Sequence, residues 1–491
     1  MNNLIAGTLE LTSKVRYGLT SRGTPIYRFI PYDKRFAPLA VGCSARNLFY
    51  NIHAIVEPVG QTSSSGIGEP LGHTSTPRTS RELQKANLIH NLGIPSPESE
   101  LQVLLTSYAQ DSYKELKNLP TVVPLCSHDT SQRERLEGLT FHIDPPGCRD
   151  VDDSFTLKWN AAYEYWEVAI NIADVAHYVP EGSTLDFAAR QRATSFYTPA
   201  GEAIFPMLPQ SLSEGVASLL PGSPKLTVSL CFKFQPSTKI IQDLTWKLTK
   251  TETTISYTYD TAQEELNTIP ELLALSQITG SEDTHIIVEK MMILYNTEAG
   301  KLLAARHVGI LRRHKEGHAH VDIPGVPEFI AYESAEYCLP TDDNTAHFGL
   351  NQDFYAYASS PLRRYADLVN QLAIKKILED SEPGQSSKEL VNDLNRRQKQ
   401  AKAFSRDLFF LTSLTQPHTN TVEGIVIESQ DKKTKLWVPE WRRTITAKSI
   451  DSKVYARGTR CGIQWYADPG VARWKDKIVF RLSEADRADE V

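Results

Sequence analysis

Between His142 and Asp153 the chain reads HIDPPGCRDVDD, and its Asp144-Pro145-Pro146-Gly147 segment belongs in neither a helix interior nor a central strand. Proline removes a backbone donor and keeps the residue before it extended. The chain must turn there, between flanking sequences of β type. Four carboxylates, Asp144, Asp150, Asp152 and Asp153, fall within this turn, with only Arg149 among them as a counter-charge. In an extended segment Asp150 and Asp152 point one way and Asp153 the other, and the turn can bring Asp144 back to them. Such a cluster either stays partly protonated or recruits cations. Hard divalent ions, Mg²⁺ or Mn²⁺, suit carboxylate oxygen. Two such ions about 4 Å apart can hold a phosphate, activate water and stabilise a leaving oxygen. A solvated acidic loop or a structural Ca²⁺ loop is the plainer alternative, although the EF-hand spacing is absent.

The 491 residues suffice for two to four domains, and the composition, 41% hydrophobic and 23% charged, is that of a globular protein in water. No apolar run approaches 18 residues and no basic-then-apolar leader opens the chain. The expectation is no membrane association and a cytoplasmic location, with an organelle left open. Cys43, Cys126, Cys148, Cys231, Cys338 and Cys461 form no CxxC pair, which argues against a zinc ribbon and a disulfide scaffold. The net charge of −6 is unevenly spread: residues 421–482 hold 13 Lys/Arg against 7 Asp/Glu. A basic C-terminal domain on an acidic chain suits a polyanionic partner.

Along the chain, residues 1–60 hold short β-type runs sufficient for a small β-rich domain. Gly60 to Ser80 is rich in Ser, Thr, Gly and Pro and reads as a linker. RELQKANLIHNLG (81–93) and SPESELQVLLTSYAQDSYKEL (96–116) read as helical, so that 61–134 suits a linker plus a helix-turn-helix-like region. From 135 to 415 strands and helices mix. Trp166 to Val179 is β-like throughout, while 285–307, 362–380 and 386–408 have helical length and composition. Residues 416–491 carry short strand candidates, TVEGIVIE, KLWVPEW, RCGIQWYA and DKIVFRL, with the look of a five-stranded barrel.

The turn IDPPGCRDVDD resembles the signature of the RNase II/RNase R (RNB) family of exoribonucleases. Further segments are similar to family segments in the same order: INIADVAHYVPEGSTLDFAARQRATSFY (170–197), FPMLPQSLSEGVASLLPG (205–222), SYTYDTA (256–262) and YASSPLRRYADLVNQ (357–371). The resemblance implies an α+β catalytic RNB-type domain flanked by small N-terminal domains and a C-terminal S1-like OB-fold β-barrel. It implies Mg²⁺-dependent, processive 3′→5′ hydrolysis of single-stranded RNA to nucleoside 5′-monophosphates, by a monomer using two ions.

On the family pattern, Asp144, Asp150, Asp152 and Asp153 are the metal carboxylates, with Asp152 and Arg363 catalytic. Pro361 and a capping Ser359 or Ser360 place Arg363 and Arg364 in a first helical turn, where Arg363 holds phosphate oxygens. Arg364 counts among the RNA-binding residues in a role different from that of Arg363, and Asp367 fixes it by a helical ion pair. Tyr259 stacks near the terminal nucleotide and Tyr197 clamps a base farther along. Glu289 accepts from terminal hydroxyls, including the 2′-OH that marks RNA. His314, His318 and His320 suit a basic loop better than a metal site, and His177 a structural role. Departures from the pattern are His142 in place of a small hydroxylic residue, Lys290 in place of a second acid, and Gln371 in place of a histidine. Two rival readings stand: an inactive RNA-binding protein on a nuclease fold, and a DNA exonuclease.

Overall fold

The computed structural model describes residues 4–59, 83–109, 133–198, 201–316, 322–327, 330, 333–415, 421–430, 433–448, 454–468, 471 and 474–483. The expected linker at 60–80, the end of the second helical pattern, Cys126, His318 and His320 lie outside them. The chain divides into two compact units: Met1–Gln110 with Ala319–Ala331 and Phe404–Val491, and Asp111–His318 with Tyr332–Ala403.

In the first unit, β1 (Ile5–Leu9), β2 (Ile26–Pro31), β3 (Leu39–Gly42), β4 (Ile52–Pro58) and β5 (Gln84–Gly93) close a barrel in the order β1-β2-β3-β5-β4. This corrects two expectations. Residues 84–93 are a strand, not a helix, and the N-terminal domain does not end at 60. Without β5, β3 and β4 would each present an open edge. Val41 pairs with Ala86 on one side of β5, and Val56 with Leu88 on the other. Of the expected helix-turn-helix-like region, the first helical pattern is thus β5, and among the described residues α1 (Pro97–Ala109) follows it. That helix begins as the sequence indicates, with Ser96 Oγ accepting from the Ser99 N–H at 3.2 Å.

A second closed five-stranded barrel is built from Thr421–Gln430, Lys433–Val438, Arg443–Lys448, Arg460–Ala467 and Ile478–Ser483. Sequence inspection missed the strand at 443–448, whose RTITAK alternation is short and basic. Within this unit Lys477, only 4% exposed, donates to Glu100 Oε1 at 2.6 Å and lies 3.0 Å from His53 Nε2. The described cysteines are free thiols, and no described helix is long and apolar enough to cross a membrane.

The second unit is organised by a seven-stranded sheet. Its strands are β6 (Glu134–Arg135), β7 (Leu139–Asp144), β8 (Asp153–Asn160), β9 (Tyr165–Ala173), β12 (Lys225–Gln235), β13 (Ile240–Thr251) and β14 (Ile255–Thr258). A separate hairpin, β10 (Phe196–Tyr197) with β11 (Ala203–Phe205), precedes β12. The sheet order is β14-β7-β8-β9-β12-β13-β6. The helices of this unit are α2 (Val175–Tyr178), α3 (Thr184–Arg192), α4 (Tyr259–Glu265), α5 (Pro270–Thr279), α6 (Thr284–Ala305), α7 (Tyr365–Leu378) and the start of α8 (Lys388–Thr415). The expected strand over 166–179 stops at Ala173. There Asp174 caps α2 by accepting from the His177 N–H, and His177 is buried as a structural residue. The single span 135–415 is also corrected. Residues from Phe404 onward group with the C-terminal barrel because Phe410 and Leu411 of α8 enter its core.

One set of sheet side chains, Phe141, Phe155, Ile170 and Val228, packs with Met291 and Tyr295 of α6 in a single apolar core. Buried hydroxyls and an amide form a hydrogen-bonded row across four strands: Thr140 to Thr156 at 2.8 Å, Asn171 to Thr156 at 2.8 Å, and Ser229 to Asn171 at 2.8 Å. α6 approaches the backbone of residues 354–355 through Gly300, where a Cβ would meet Tyr355 N at 2.8 Å and Phe354 C at 2.9 Å. Alanine normally improves a helix by about 1 kcal/mol, but overpacking against backbone costs about 1–3 kcal/mol. Gly300→Ala is therefore expected to lower the urea midpoint of this unit. A raised midpoint would show that the 354–355 segment yields without cost.

Candidate active site

Strand register brings the acidic turn together. β7 ends at Asp144 and its antiparallel neighbour β8 begins at Asp153, so residues 145–152 cross one end of the sheet. β14 runs parallel to β7 with Thr258 opposite Asp144, which places Tyr259 at that same end. Thr258 and Thr261 complete a capping box that starts α4 there. Ser218, from the 205–222 segment, secures the turn from outside. Its Oγ accepts from Val151 N–H at 3.1 Å and donates to Arg149 O at 2.7 Å.

The four carboxylates have different surroundings. Asp144 Oδ2 lies 2.8 Å from His142 Nδ1, and His142 Nε2 lies 2.8 Å from Ser256 Oγ. Asp150 accepts from the Tyr197 hydroxyl at 2.5 Å, and the Cys148 thiol is 3.8 Å away. Asp152, 3% exposed, accepts from the Leu362 N–H at 2.9 Å and from Arg363 Nε at 2.9 Å. Arg149 lines the same cavity as the aspartates but pairs with Glu214 at 3.2 Å and not with an aspartate of the turn. Arg363, from the other end of the sequence, supplies the expected counter-charge instead.

Burial pushes the Asp152 carboxyl from an ordinary 3.8 up to about 7, against the pull of Arg363. Burial also raises Asp153 well above its ordinary range, with the charges of Asp144 and Asp152 adding to the effect. Burial and the adjacent carboxylates raise the Cys148 thiol as well.

Arg363 and Arg364 do not lie in a helical first turn. Residues 361–363 form a turn and Arg364 is extended at φ −133°, so the helix begins at Tyr365. Two demands hold the pair out of the helix. The Arg363 carbonyl accepts from Ser195 N–H at 2.9 Å, and Arg364 makes a bridge to Thr194. Arg364 donates to Asp367 at 2.7 Å, the expected ion pair, and its guanidinium lies 4.0 Å from the Tyr357 ring centre. Gln371 is structural: it donates to Ala173 O at 2.8 Å and accepts from Ala176 N–H at 3.0 Å.

A cavity of about 1010 Å³ is lined by the four aspartates, Arg363, Arg364, Tyr197, Tyr259 and Glu289. Every site residue singled out from sequence thus meets one space. Lys290 turns away to Thr279 O at 2.8 Å. His314 is not part of the wall: Nε2 lies 2.8 Å from Glu333 O and Nδ1 accepts from Gly349 N–H at 3.1 Å. The basic-loop reading therefore fails for His314, which is occupied in tying two loops together.

Sequence reasoning named His142 only as a departure from the family pattern, and it missed Ser218 and His285. His142 carried a signal, being a histidine two residues before a cluster aspartate on the same strand face. Ser218 and His285 carried none without the fold.

The donor set fits a hard divalent ion, because four oxygen ligands face too little positive charge from the protein. Among the described residues no three His, Cys, Asp or Glu side chains are already gathered tightly enough to hold one. Closure around an ion therefore requires the carboxylates to draw together.

Residues 133–277 and 329–380 match the RNB domain, so the chain carries a domain of the RNB family. Human 3′-5′ exoribonuclease HELZ2 is 34% identical over 132 residues, 27% of this chain and 4% of that protein. The structure of Mycoplasma genitalium RNase R with ribose methylated single-stranded RNA has a TM-score of 0.69 at 15% identity, covering 98% of this chain and 89% of that one. Yeast Ssd1, described as a pseudonuclease, has a TM-score of 0.67 at 16% identity, covering 94% and 66%. These two likenesses concern the fold, including closed OB-like barrels on either side of the RNB segment in sequence. The chain spans 4% to 65% of the length of eight curated relatives that it matches.

Asp152 and Asp153 bind protons more tightly folded than unfolded. The Asp152 contribution to stability is therefore full below about pH 4 and is lost as pH rises through about 7, and the Asp153 contribution is likewise lost as pH rises. Urea titrations in EDTA should show the second unit weakening across that window, and added Mg²⁺ should oppose the loss. A metal-free midpoint that rises from pH 4 to pH 7 would contradict this electrostatic account.

Proposed function

We propose that the chain is a divalent-metal-dependent 3′→5′ exoribonuclease that degrades single-stranded RNA processively and releases nucleoside 5′-monophosphates. The observation that carries this reading is the convergence of Asp144, Asp150, Asp152, Asp153 and Arg363 on one cavity. The likeness to a 3′-5′ exoribonuclease and to ribonuclease R proteins supports it.

Mg²⁺ or Mn²⁺, as one or two ions, would be held by the four aspartates and would supply charge neutralisation and a more acidic water. The remaining work falls to side chains. Arg363 presents its guanidinium between Asp152 and the cavity, where its free donors can take phosphate oxygens and meet charge developing in the transition state. Asp152 fixes that guanidinium through Nε and is itself fixed by the Leu362 N–H. Tyr197 donates to Asp150, which orients that carboxylate while the aromatic face stays available to a base. Arg364, braced by Asp367 and Tyr357, contributes a second positive charge for the RNA backbone. Glu289 accepts from ribose hydroxyls, and the basic C-terminal barrel attracts RNA by releasing its counterions.

The fold shared with a pseudonuclease keeps a second reading in view, an RNA-binding protein without hydrolysis. Against it stand an intact aspartate quartet and a properly placed Arg363. The assay is 5′-labelled RNA and matched DNA with Mg²⁺ or EDTA. The expected result is progressive shortening of RNA alone, with Mg²⁺ alone, to mononucleotides. Asp152→Asn should abolish cleavage while RNA binding persists, and Arg363→Ala should lower kcat about 100-fold. Binding without shortening would select the pseudonuclease reading, and equal loss of DNA the DNA-nuclease one.

A further inference from the structure

The second barrel carries an apolar patch on its outside. Its strand Lys433–Val438 buries Leu436 and Val438 in the barrel core, so alternation points Lys433, Lys435 and Trp437 outward. On the neighbouring strand Arg443–Lys448, Ile445 and Ala447 face the core, and Thr444, Thr446 and Lys448 face out. Register lines up the two outward rows, with Trp437 opposite Thr444, Lys435 opposite Thr446 and Lys433 opposite Lys448. An outward ring beside lysines, on the second and third strands of a five-stranded barrel, is what a single-strand-binding face is made of. The three lysines are exposed. Glu428, the carboxylate opposite Lys435, is taken by Gln430 at 2.7 Å.

Trp437 is nevertheless only 5% exposed. Its cover comes from far back in the chain. Ile323 and Val326 join Trp437, Ile425 and Ile427 in one apolar cluster, with Ile330 packed against it. Residues Ala319–Ala331 group with this first unit, although the chain on both sides belongs to the second. Ile323-Pro324-Gly325-Val326 is a tight turn: the Val326 N–H donates to Ile323 O at 3.0 Å, and Gly325 has φ +82°. Proline second and a left-handed glycine third is the pattern of a type II turn. Gly325 is needed for the contact as well, since a Cβ there would meet Ile425 Cδ1 at 2.9 Å. The turn lies between the two stretches that match the RNB domain and outside both.

Resting on the RNA reading above, we propose that the 323–326 turn is a built-in cover over the RNA face of the C-terminal barrel, and that single-stranded RNA reaches Trp437 by displacing it. The cover matches what it hides. Aliphatic side chains occupy the ring on which a base would stack, while the lysines that meet phosphates stay open. RNA is held first by Lys433, Lys435 and Lys448, and gains the stacked base only when the turn lifts.

The test measures binding of a fluorescein-labelled oligouridylate to the full chain in EDTA, by anisotropy. Val326→Asp puts a charge into the apolar contact and unseats the turn, whereas Val326→Leu preserves the contact. Val326→Asp should bind about tenfold tighter than wild type, the worth of about one stacked base, despite its added negative charge. Val326→Leu should bind like wild type, and adding Trp437→Ala to Val326→Asp should cancel the gain. Unchanged or weaker binding by a Val326→Asp protein that melts like wild type would overturn the proposal, as would a gain that survives Trp437→Ala. Should Val326→Asp fail to fold, hydrogen exchange in wild type decides. Saturating RNA must speed exchange of the Val326 amide if the turn lifts; an equal or slower rate sinks the idea. Absence of RNA binding by wild type and every variant would remove the RNA reading and the proposal together, whereas binding without the gain removes the proposal alone.

Discussion

Asp152 sits at the centre of the arrangement. Its buried carboxylate is gripped by the Leu362 N–H and by Arg363 Nε, partners some 210 residues away in the chain. A carboxylate taken out of water at this depth is tolerated only when charge-assisted hydrogen bonds replace its hydration. The bond pattern therefore couples two things. It holds the acidic turn against the segment before α7, and it orients a guanidinium toward the cavity. Ser360 Oγ adds a second hold on the guanidinium, accepting from Arg363 Nη2 at 3.1 Å.

The surroundings reinforce this tie by keeping the backbone on both sides from slipping. Ser218 bonds to both flanks of Asp150, at Arg149 O and Val151 N. Ser195 N–H and Thr194 Oγ bond to the Arg363 carbonyl. Asp367, fully buried, accepts from Ser360 N–H at 2.8 Å as well as from Arg364. These contacts give the family-like segments at 205–222, 170–197 and 357–371 their mechanical meaning. Each places a small polar group where the backbone around the reacting centre must not move. The residual imbalance is electrostatic. Two carboxyls with raised proton affinity sit beside a cavity, and a divalent ion is the natural partner of such a pair.

The two arginines illustrate how tertiary demand overrides local preference. Pro361 after two serines is a good helix opening, and in isolation 361–364 would form a first turn. The structure delays the helix to Tyr365, because Arg363 must reach Asp152 while Arg364 pairs with the strand-like Thr194. The same override made a strand of 84–93. Its Gln, Lys, Ala and Leu residues favour a helix, and the otherwise unpaired edges of β3 and β4 overrule that preference.

What the chain announces on its own is chemical: a turn forced by Pro145 and Pro146, carboxylates at short range, an arginine pair and aromatic residues that a nuclease can use. Those features are legible because they depend on local covalent geometry and on charge, both fixed by residue type and spacing. Which side chains meet is decided by the fold. Arg149 lies beside the aspartates in sequence and pairs with Glu214, whereas Arg363 lies far off and reaches Asp152. His285 becomes a ring on the cavity wall only because β14 runs parallel to β7 and carries Tyr259 to the acidic end, within stacking distance of the first turn of α6. Register and sheet order set such distances, and they depend on contacts among many residues that no single segment encodes.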